Sequence, residues 1–194
     1  MKFTYLFSIC LAAFILVVLP SARKPLPGPA SATLAGSASA ISVNSGAVTW
    51  LSIDEAASRL QQTKKPVLID LYTTWCGWCK QMDKKTYSNK AVAQYLNEKF
   101  YTVKVDAESH ATINWQGRSY NFSPQYRCNE FAVYLAHGQL EFPTTIIIVP
   151  GEEPQAIPGF MEPRDLEPLV KYFGEGDYRT RSFDEYHKSF HTTW

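Results

Sequence analysis

The sequence predicts an α/β domain of three layers, with helices on both sides of a central sheet. Two observations carry that expectation. Segments of strand character alternate with segments of helical periodicity. Two of the strand segments, 67–72 and 144–149, are near-continuous apolar runs, as strands covered on both faces are. A chain of 194 residues, 45% hydrophobic and 14% aromatic, can bury one such core and is short for two.

Order is expected to begin at Val48-Thr49-Trp50. Ser52-Ile53-Asp54-Glu55 has the spacing by which Ser and Glu side chains reciprocally cap a helix start, and this helix runs to about Gln62, before Pro66. The strand 67–72 is apolar except for Asp70, an acid where burial is expected. A helical stretch follows the cysteine pair through about Tyr87, and Asn89 is placed to cap a second helix carrying Val92, Tyr95, Leu96 and Phe100 on one stripe. The strand 101–106 alternates, which predicts one polar and one buried face. Residues 111–122 read as a hairpin around Gln116-Gly117-Arg118, followed by a helix from Pro124 to His137 that stops at Gly138. After the apolar strand 144–149, Pro150-Gly151 turns the chain and 155–158 pairs back beside it. A last core helix over 163–173 is closed by Gly174, and Ser182-Phe183-Asp184-Glu185 repeats the capping spacing before a short tail helix.

The ends are read separately. Residues 1–22 combine Lys2, an uncharged run and an apolar core over 11–19, the order of a secretory signal. Small-residue cleavage sites stand at Pro20-Ser21-Ala22, Ala30-Ser31-Ala32 and Ala38-Ser39-Ala40, and a retained membrane anchor is the competing reading because a span requires ~20 residues. Cys10 follows Ile9 rather than a small residue, which does not make a lipoprotein site. Residues 23–47, rich in Ser, Ala, Pro and Gly, read as a flexible linker; 48–176 is the folded domain and 177–194 its tail. With 19 basic and 18 acidic residues the net charge is +1, which offers no electrostatic footprint for nucleic acid.

Chemistry concentrates at Trp75-Cys76-Gly77-Trp78-Cys79-Lys80. Two cysteines separated by two residues follow a buried strand and open a helix. The free backbone N–H groups at a helix start favour a thiolate, the nucleophile of disulfide exchange, which assigns that role to Cys76. Cys79, one turn on, is placed to attack a mixed disulfide on Cys76 and release the substrate. Gly77 and Trp78 allow the tight turn between them, while Trp75 and Trp78 supply an apolar rim for a substrate peptide. A structural zinc site needs about four ligands, and no second Cys/His pair has the spacing to complete one. Cys128 reads as a small buried side chain in the 124–137 helix, and His110, His137, His187 and His191 as surface residues.

Asp70, the cysteine segment, and Phe142-Pro143-Thr144 ahead of an apolar strand together resemble thioredoxin over about residues 50–173. Cys-Gly-Trp-Cys-Lys with the following Met82-Asp83-Lys84 and Tyr87-Ser88-Asn89 is similar to the bacterial envelope thioredoxin-like proteins. The resemblance implies a thioredoxin-like sandwich with a central mixed sheet, here with a hairpin-helix insertion over 108–141. It also implies a thiol-disulfide oxidoreductase of the periplasm or cell envelope, and no bound cofactor or metal. Partners would be proteins with disulfides or thiols and a redox donor or acceptor protein, and the chain would be a monomer. It implies that Pro143 is cis and, with Phe142 and Thr144, meets an extended substrate segment, and that Asp70 is the family's buried acid, which helps move the proton of the second thiol.

Three departures from thioredoxin stand out. Trp78 replaces the usual proline. The lysine that partners the buried acid is not found two residues before Lys104, where Thr102 stands, and 108–141 is longer than expected, which suggests a segment tuning substrate or partner choice. Two alternatives stay open: a non-catalytic binding or scaffold module working through 108–141, and an oxidant or isomerase rather than a reductant.

Overall fold

The computed structural model describes residues 46–194, so the signal or anchor over 1–22 and nearly all of the 23–47 linker lie outside the described residues. The elements in chain order are β1 (Trp50–Leu51), α1 (Ile53–Gln62), β2 (Val67–Tyr72), α2 (Gly77–Met82) continued by a π-helical turn (Asp83–Tyr87), and α3 (Lys90–Lys99). Then come β3 (Tyr101–Asp106), β4 (Ile113–Trp115), β5 (Arg118–Tyr120), β6 (Phe122–Ser123), β7 (Cys128–Asn129) and α4 (Glu130–Leu135). The chain closes with β8 (Thr144–Ile148), β9 (Gln155–Pro158), α5 (Pro163–Gly174), a short 3-10 turn (Asp177–Arg179) and α6 (Phe183–Lys188).

Five strands form one mixed sheet in the order β1-β3-β2-β8-β9. β1, β3 and β2 run parallel, while β8 runs antiparallel to both β2 and β9. Each face of the sheet buries its own cluster. On one face Val67, Ile69, Leu71, Val103 and Ile146 pack against Ala56 and Leu60 of α1 and Phe131, Ala132 and Leu135 of α4. On the other, Leu68 and Ile147 pack against Val92 and Leu96 of α3 and Leu166 and Val170 of α5. This is the three-layer α/β arrangement expected from two nearly all-apolar strands, since alternate side chains of β2 and β8 must each find a hydrophobic cover.

Local signals are realised where they were read. Ser52 and Glu55 form a capping box on α1, Ser182 and Glu185 another on α6, and Asn89 caps α3 through the N–H groups of Ala91 and Val92. Gln116 (φ 50°) and Gly117 (φ 80°) are both left-handed, the conformation a two-residue hairpin turn between β4 and β5 demands.

Four expectations are corrected. First, β3 has the polar face read for it, Thr102, Lys104 and Asp106 opposite the buried Val103 and Val105, but that face is covered rather than open: Thr102 is buried and its Oγ1 donates to the Thr49 carbonyl at 2.6 Å. Second, the helix expected from Pro124 starts only at Glu130. Residues 124–127 form a turn with Arg127 left-handed (φ 53°), and Cys128 is buried on β7 rather than on a helix. Third, the insertion is more than a hairpin and a helix: β6 and β7 pair antiparallel as a second two-stranded ladder, and Ile113, Trp115 and Tyr120 are built into the α1/α4 core. Fourth, Gly174 is a helical residue packed where a Cβ would approach Tyr95 Oη to 2.8 Å and Phe100 to 3.1 Å; the left-handed residue after α5 is Gly176 (φ 86°).

Asn129 explains the second correction. It is fully buried; its side-chain oxygen caps α4 by accepting from the Phe131 N–H at 3.0 Å, and its amide donates to the carbonyls of Ser109 (3.1 Å) and Ala111 (2.9 Å). Replacing it by Ala removes a cap and two hydrogen bonds to part-buried carbonyls, so Asn129→Ala is expected to lower unfolding free energy in urea by about 2–4 kcal/mol. At the other end of the chain, Glu167 of α5 is fully buried. It accepts from the backbone N–H groups of Thr193 (2.7 Å) and Trp194 (3.0 Å) and from Lys171 (2.7 Å), which fastens the tail to the helix.

Candidate active site

β2 carries the chain out of the core directly into the cysteine segment. Cys76 is the N-cap residue of α2, and Cys79 lies in its first turn; the two are joined as a disulfide with Cα atoms 5.3 Å apart. The Cys79 N–H points at Cys76 Sγ at 3.0 Å, a donor placed to stabilise negative charge on that sulfur. Both cysteines are buried, while Trp75 and Trp78 on either side are 65% and 62% exposed. Gly77 is exposed, has no left-handed backbone, and would have nothing within 4 Å of an added Cβ, so the turn does not itself require glycine there.

The loop before β8 comes to the same place. Register sets Thr144 opposite Leu71 near the end of β2, and the Phe142 ring meets the Trp75 indole edge-on with centroids 6.2 Å apart. The Phe142–Pro143 peptide bond is cis, as the resemblance implies. Thr144 Oγ1 donates to the Glu141 carbonyl at 2.7 Å, and the Gly159 N–H donates to the Pro143 carbonyl at 2.8 Å, so the loop is held from both sides. Two neighbours were not legible as site residues. The Trp75 indole N–H donates to the Glu108 carboxylate at 3.1 Å, and Phe160 lies against Trp78 at 5.5 Å between centroids.

Asp70 is buried at 1% exposure. The sequence expectation that its lysine partner is missing is overturned: parallel register pairs Asp70 with Lys104 itself, and Lys104 Nζ stands 3.1 Å from Asp70 Oδ2. Alignment of the two strands from their first residues, Val67 with Tyr101, would have found it. Lys104 also pairs with Asp83 of the π-helical turn, and its ammonium lies over the Trp50 and Tyr72 rings at 5.1 and 5.2 Å. The Asp70–Lys104 contact is electrostatic, because neither carboxylate oxygen is met by an aligned hydrogen-bond donor. Burial raises the Asp70 carboxyl from 3.8 to about 6 against the opposing pull of Lys104, while burial lowers the Lys104 ammonium less than Asp70 and Asp83 raise it. Asp70 is thus placed to change protonation near pH 6. Among the described residues no group of three or more His, Cys, Asp and Glu is placed to hold a metal ion.

A mixed five-stranded sheet covered on both faces, with a cysteine pair opening the helix after its central strand, defines a thioredoxin-fold protein. The chain matches the family Thioredox_DsbH, described as a protein of unknown function, DUF255, over residues 34–171, and it belongs to that family. It is similar to the chloroplastic thioredoxin Y of Oryza sativa subsp. japonica, 33% identical over 102 residues that make up 53% of each chain. It is also similar to the thiol:disulfide interchange protein DsbD of Salmonella typhi, 42% identical over 48 residues, 24% of this chain and 8% of that one. An uncharacterised protein of Caenorhabditis elegans is 32% identical over 60 residues, 31% of this chain and 8% of that protein. The chain spans from 8% to 53% of the length of these curated relatives. Among solved structures, a thioredoxin-fold protein from Helicobacter pylori superposes with a TM-score of 0.51 at 14% identity, over 64% of this chain and 79% of that one, which supports the fold.

Proposed function

We propose that the protein is a thiol-disulfide oxidoreductase that exchanges the Cys76–Cys79 dithiol and disulfide with protein substrates of the cell envelope. The single observation that carries this reading is the disulfide closed across the first turn of α2, between two exposed indoles. In the reducing direction the Cys76 thiolate attacks a substrate disulfide, forming a mixed disulfide and releasing one substrate thiolate. The Cys79 thiol then gives its proton to Asp70 and attacks Cys76 Sγ. The bond to substrate breaks, the second substrate thiolate leaves, and the protein holds its own disulfide, two electrons having passed to the substrate. The reverse sequence oxidises a client.

Trp75, Trp78 and the Phe142-Pro143-Thr144 loop would receive the substrate segment, with main-chain contacts at the loop and apolar contacts at the indoles. This reading is supported over a scaffold working through 108–141 because Ile113, Trp115 and Tyr120 of that segment are committed to the core, which leaves Tyr126 as its exposed large aromatic. The envelope setting rests on the residue pattern of 1–22; among the described residues no helix is long and apolar enough to cross a membrane. The DsbD and thioredoxin relatives are consistent with disulfide exchange in either direction.

Insulin reduction with dithiothreitol as the electron source tests the assignment. The protein should accelerate the reaction and Cys76→Ser should return it to the uncatalysed rate. Equal rates for the two proteins would sink the assignment and leave the scaffold reading. Equilibration of the pair against glutathione then fixes the direction, reductant or oxidant.

A further inference from the structure

Four buried side-chain oxygens near Lys104 lack any hydrogen-bond partner: both carboxylate oxygens of Asp70, the hydroxyl of Thr145 and the phenol of Tyr87. They are neighbours. Register sets Thr145 of β8 directly across from Asp70 of β2, and cross-strand partners share a face. Tyr87, the last residue of the π-helical turn, is 3% exposed, and its phenol lies within electrostatic reach of the Thr145 hydroxyl and the Asp70 carboxylate without an aligned hydrogen bond to either. Lys104 Nζ lies 5.9 Å from the Tyr87 ring and 3.1 Å from Asp70. The large majority of buried side-chain polar atoms are hydrogen-bonded, so three adjacent groups left open point to a network whose hydrogens rearrange.

We infer that Tyr87 is a positioning residue for the proton step at Asp70, acting through the Thr145 hydroxyl. A hydroxyl both donates and accepts, so the chain can run either way. When Asp70 is ionised, Tyr87 Oη–H donates to Thr145 Oγ1 and Thr145 donates to the carboxylate. When Asp70 has taken the proton, it donates to Thr145 and Thr145 donates to Tyr87. Both protonation states are then satisfied, but the donation to the carboxylate is charge-assisted and the stronger of the two. The chain therefore helps Asp70 return to the ionised state that accepts the next proton. Tyr87 itself stays neutral, because burial first and Asp70 second push its phenol well above 10.

The other charged or titratable groups facing Asp70 are Lys104 on β3, Asp83 on the π-helical turn and Tyr72 on its own strand. Neither Lys104 nor Asp83 can make this adjustment, since an ammonium only donates and an ionised carboxylate only accepts.

The inference rests on the proposed role of Asp70, and the experiment separates the two. The carbon-detected NMR titration of the Asp70 carboxyl is followed in the full chain, beside the pH dependence of single-turnover reduction of a disulfide-bridged peptide by the dithiol form. Tyr87→Phe keeps the ring and removes only the hydroxyl, so circular dichroism should show the native fold retained, with any loss of thermal stability confined to pH above the Asp70 midpoint, where the carboxylate is ionised. It should raise the Asp70 midpoint by on the order of one pH unit and carry the kinetic limb upward with it. Thr145→Val should do the same, and the double variant should add nothing further. An Asp70 midpoint unmoved in Tyr87→Phe and Thr145→Val overturns the inference. A kinetic limb that persists in Asp70→Asn overturns the reading of Asp70 itself, whatever the tyrosine variant does.

Discussion

Cys79→Ala should hold client proteins on Cys76 as mixed disulfides that survive acid quenching and non-reducing electrophoresis. The structure explains why the effect should be large. Cys79 and Cys76 sit in one helical turn with Cα atoms 5.3 Å apart, so the resolving thiol attacks within the molecule. Well-oriented intramolecular reactions have effective molarities on the order of 10⁵ M or more, and removing the thiol leaves release to dilute external thiols, orders of magnitude slower. The trapped sulfur is flanked by Trp75 and Trp78, so clients should be captured through cysteines in accessible, extended segments able to lie against two indoles. Cys76→Ser should trap nothing. If Cys79→Ala accumulates no adducts while Cys76→Ser keeps full activity, the assignment of nucleophile and resolving thiol is wrong.

The parts of the fold that were legible in the sequence are those set by neighbouring residues. Ser52 with Glu55, Ser182 with Glu185, and Asn89 are caps whose partners lie within three positions, and each forms as read. β2 and β8 announce themselves because being covered on both faces leaves no room for alternation. The parts not legible depend on distant partners. Pro124 is a good first helical residue in isolation, yet the helix begins at Glu130 because Asn129 is anchored to Ser109 and Ala111, some twenty residues earlier. β6 and β7 are two residues each, too short for any period to show. Glu167 looks like a solvent-facing acid of an amphipathic helix, and only the return of Thr193 and Trp194 accounts for its burial.

The candidate site divides the same way. Its cysteines, indoles and the Phe142-Pro143 loop are compact motifs, and the fold gathers them through the β2–β8 pairing and the Trp75–Phe142 contact. The surroundings of Asp70 are not a motif. Lys104 comes from β3, Asp83 and Tyr87 from the π-helical turn, and Thr145 from β8, and a two-residue error in strand alignment was enough to hide the lysine. Buried charge is specified by register, and register is a property of the whole sheet.

That buried charge should be costly, and Asp70→Asn should show how costly. In the unfolded chain the carboxyl titrates near 3.8; in the folded protein burial, only partly offset by Lys104, raises it to about 6. Between those values the folded state holds a proton that the unfolded state has lost, so this group's contribution to stability falls as pH rises through the window and is flat above it. A difference of about two units at 1.36 kcal/mol each makes ionised Asp70 cost about 3 kcal/mol at pH 8. Asparagine has nearly the same shape and no charge. The variant should therefore be more stable than the wild type by ~2–3 kcal/mol in urea unfolding at pH 8, with the gap closing toward pH 4. The other carboxylates are common to the two proteins. Glu167 is pushed up by burial but pulled further down by its bonds to Lys171 and Thr193, and taking the difference between the two proteins cancels it. The same substitution should slow the resolving step and remove its dependence on pH near 6, because no base remains to take the Cys79 proton. A protein that gains stability and loses rate from one isosteric change is holding that carboxylate for chemistry. A variant no more stable than the wild type at pH 8 would mean that Lys104 already compensates the charge, and Asp70 would then be a structural ion pair.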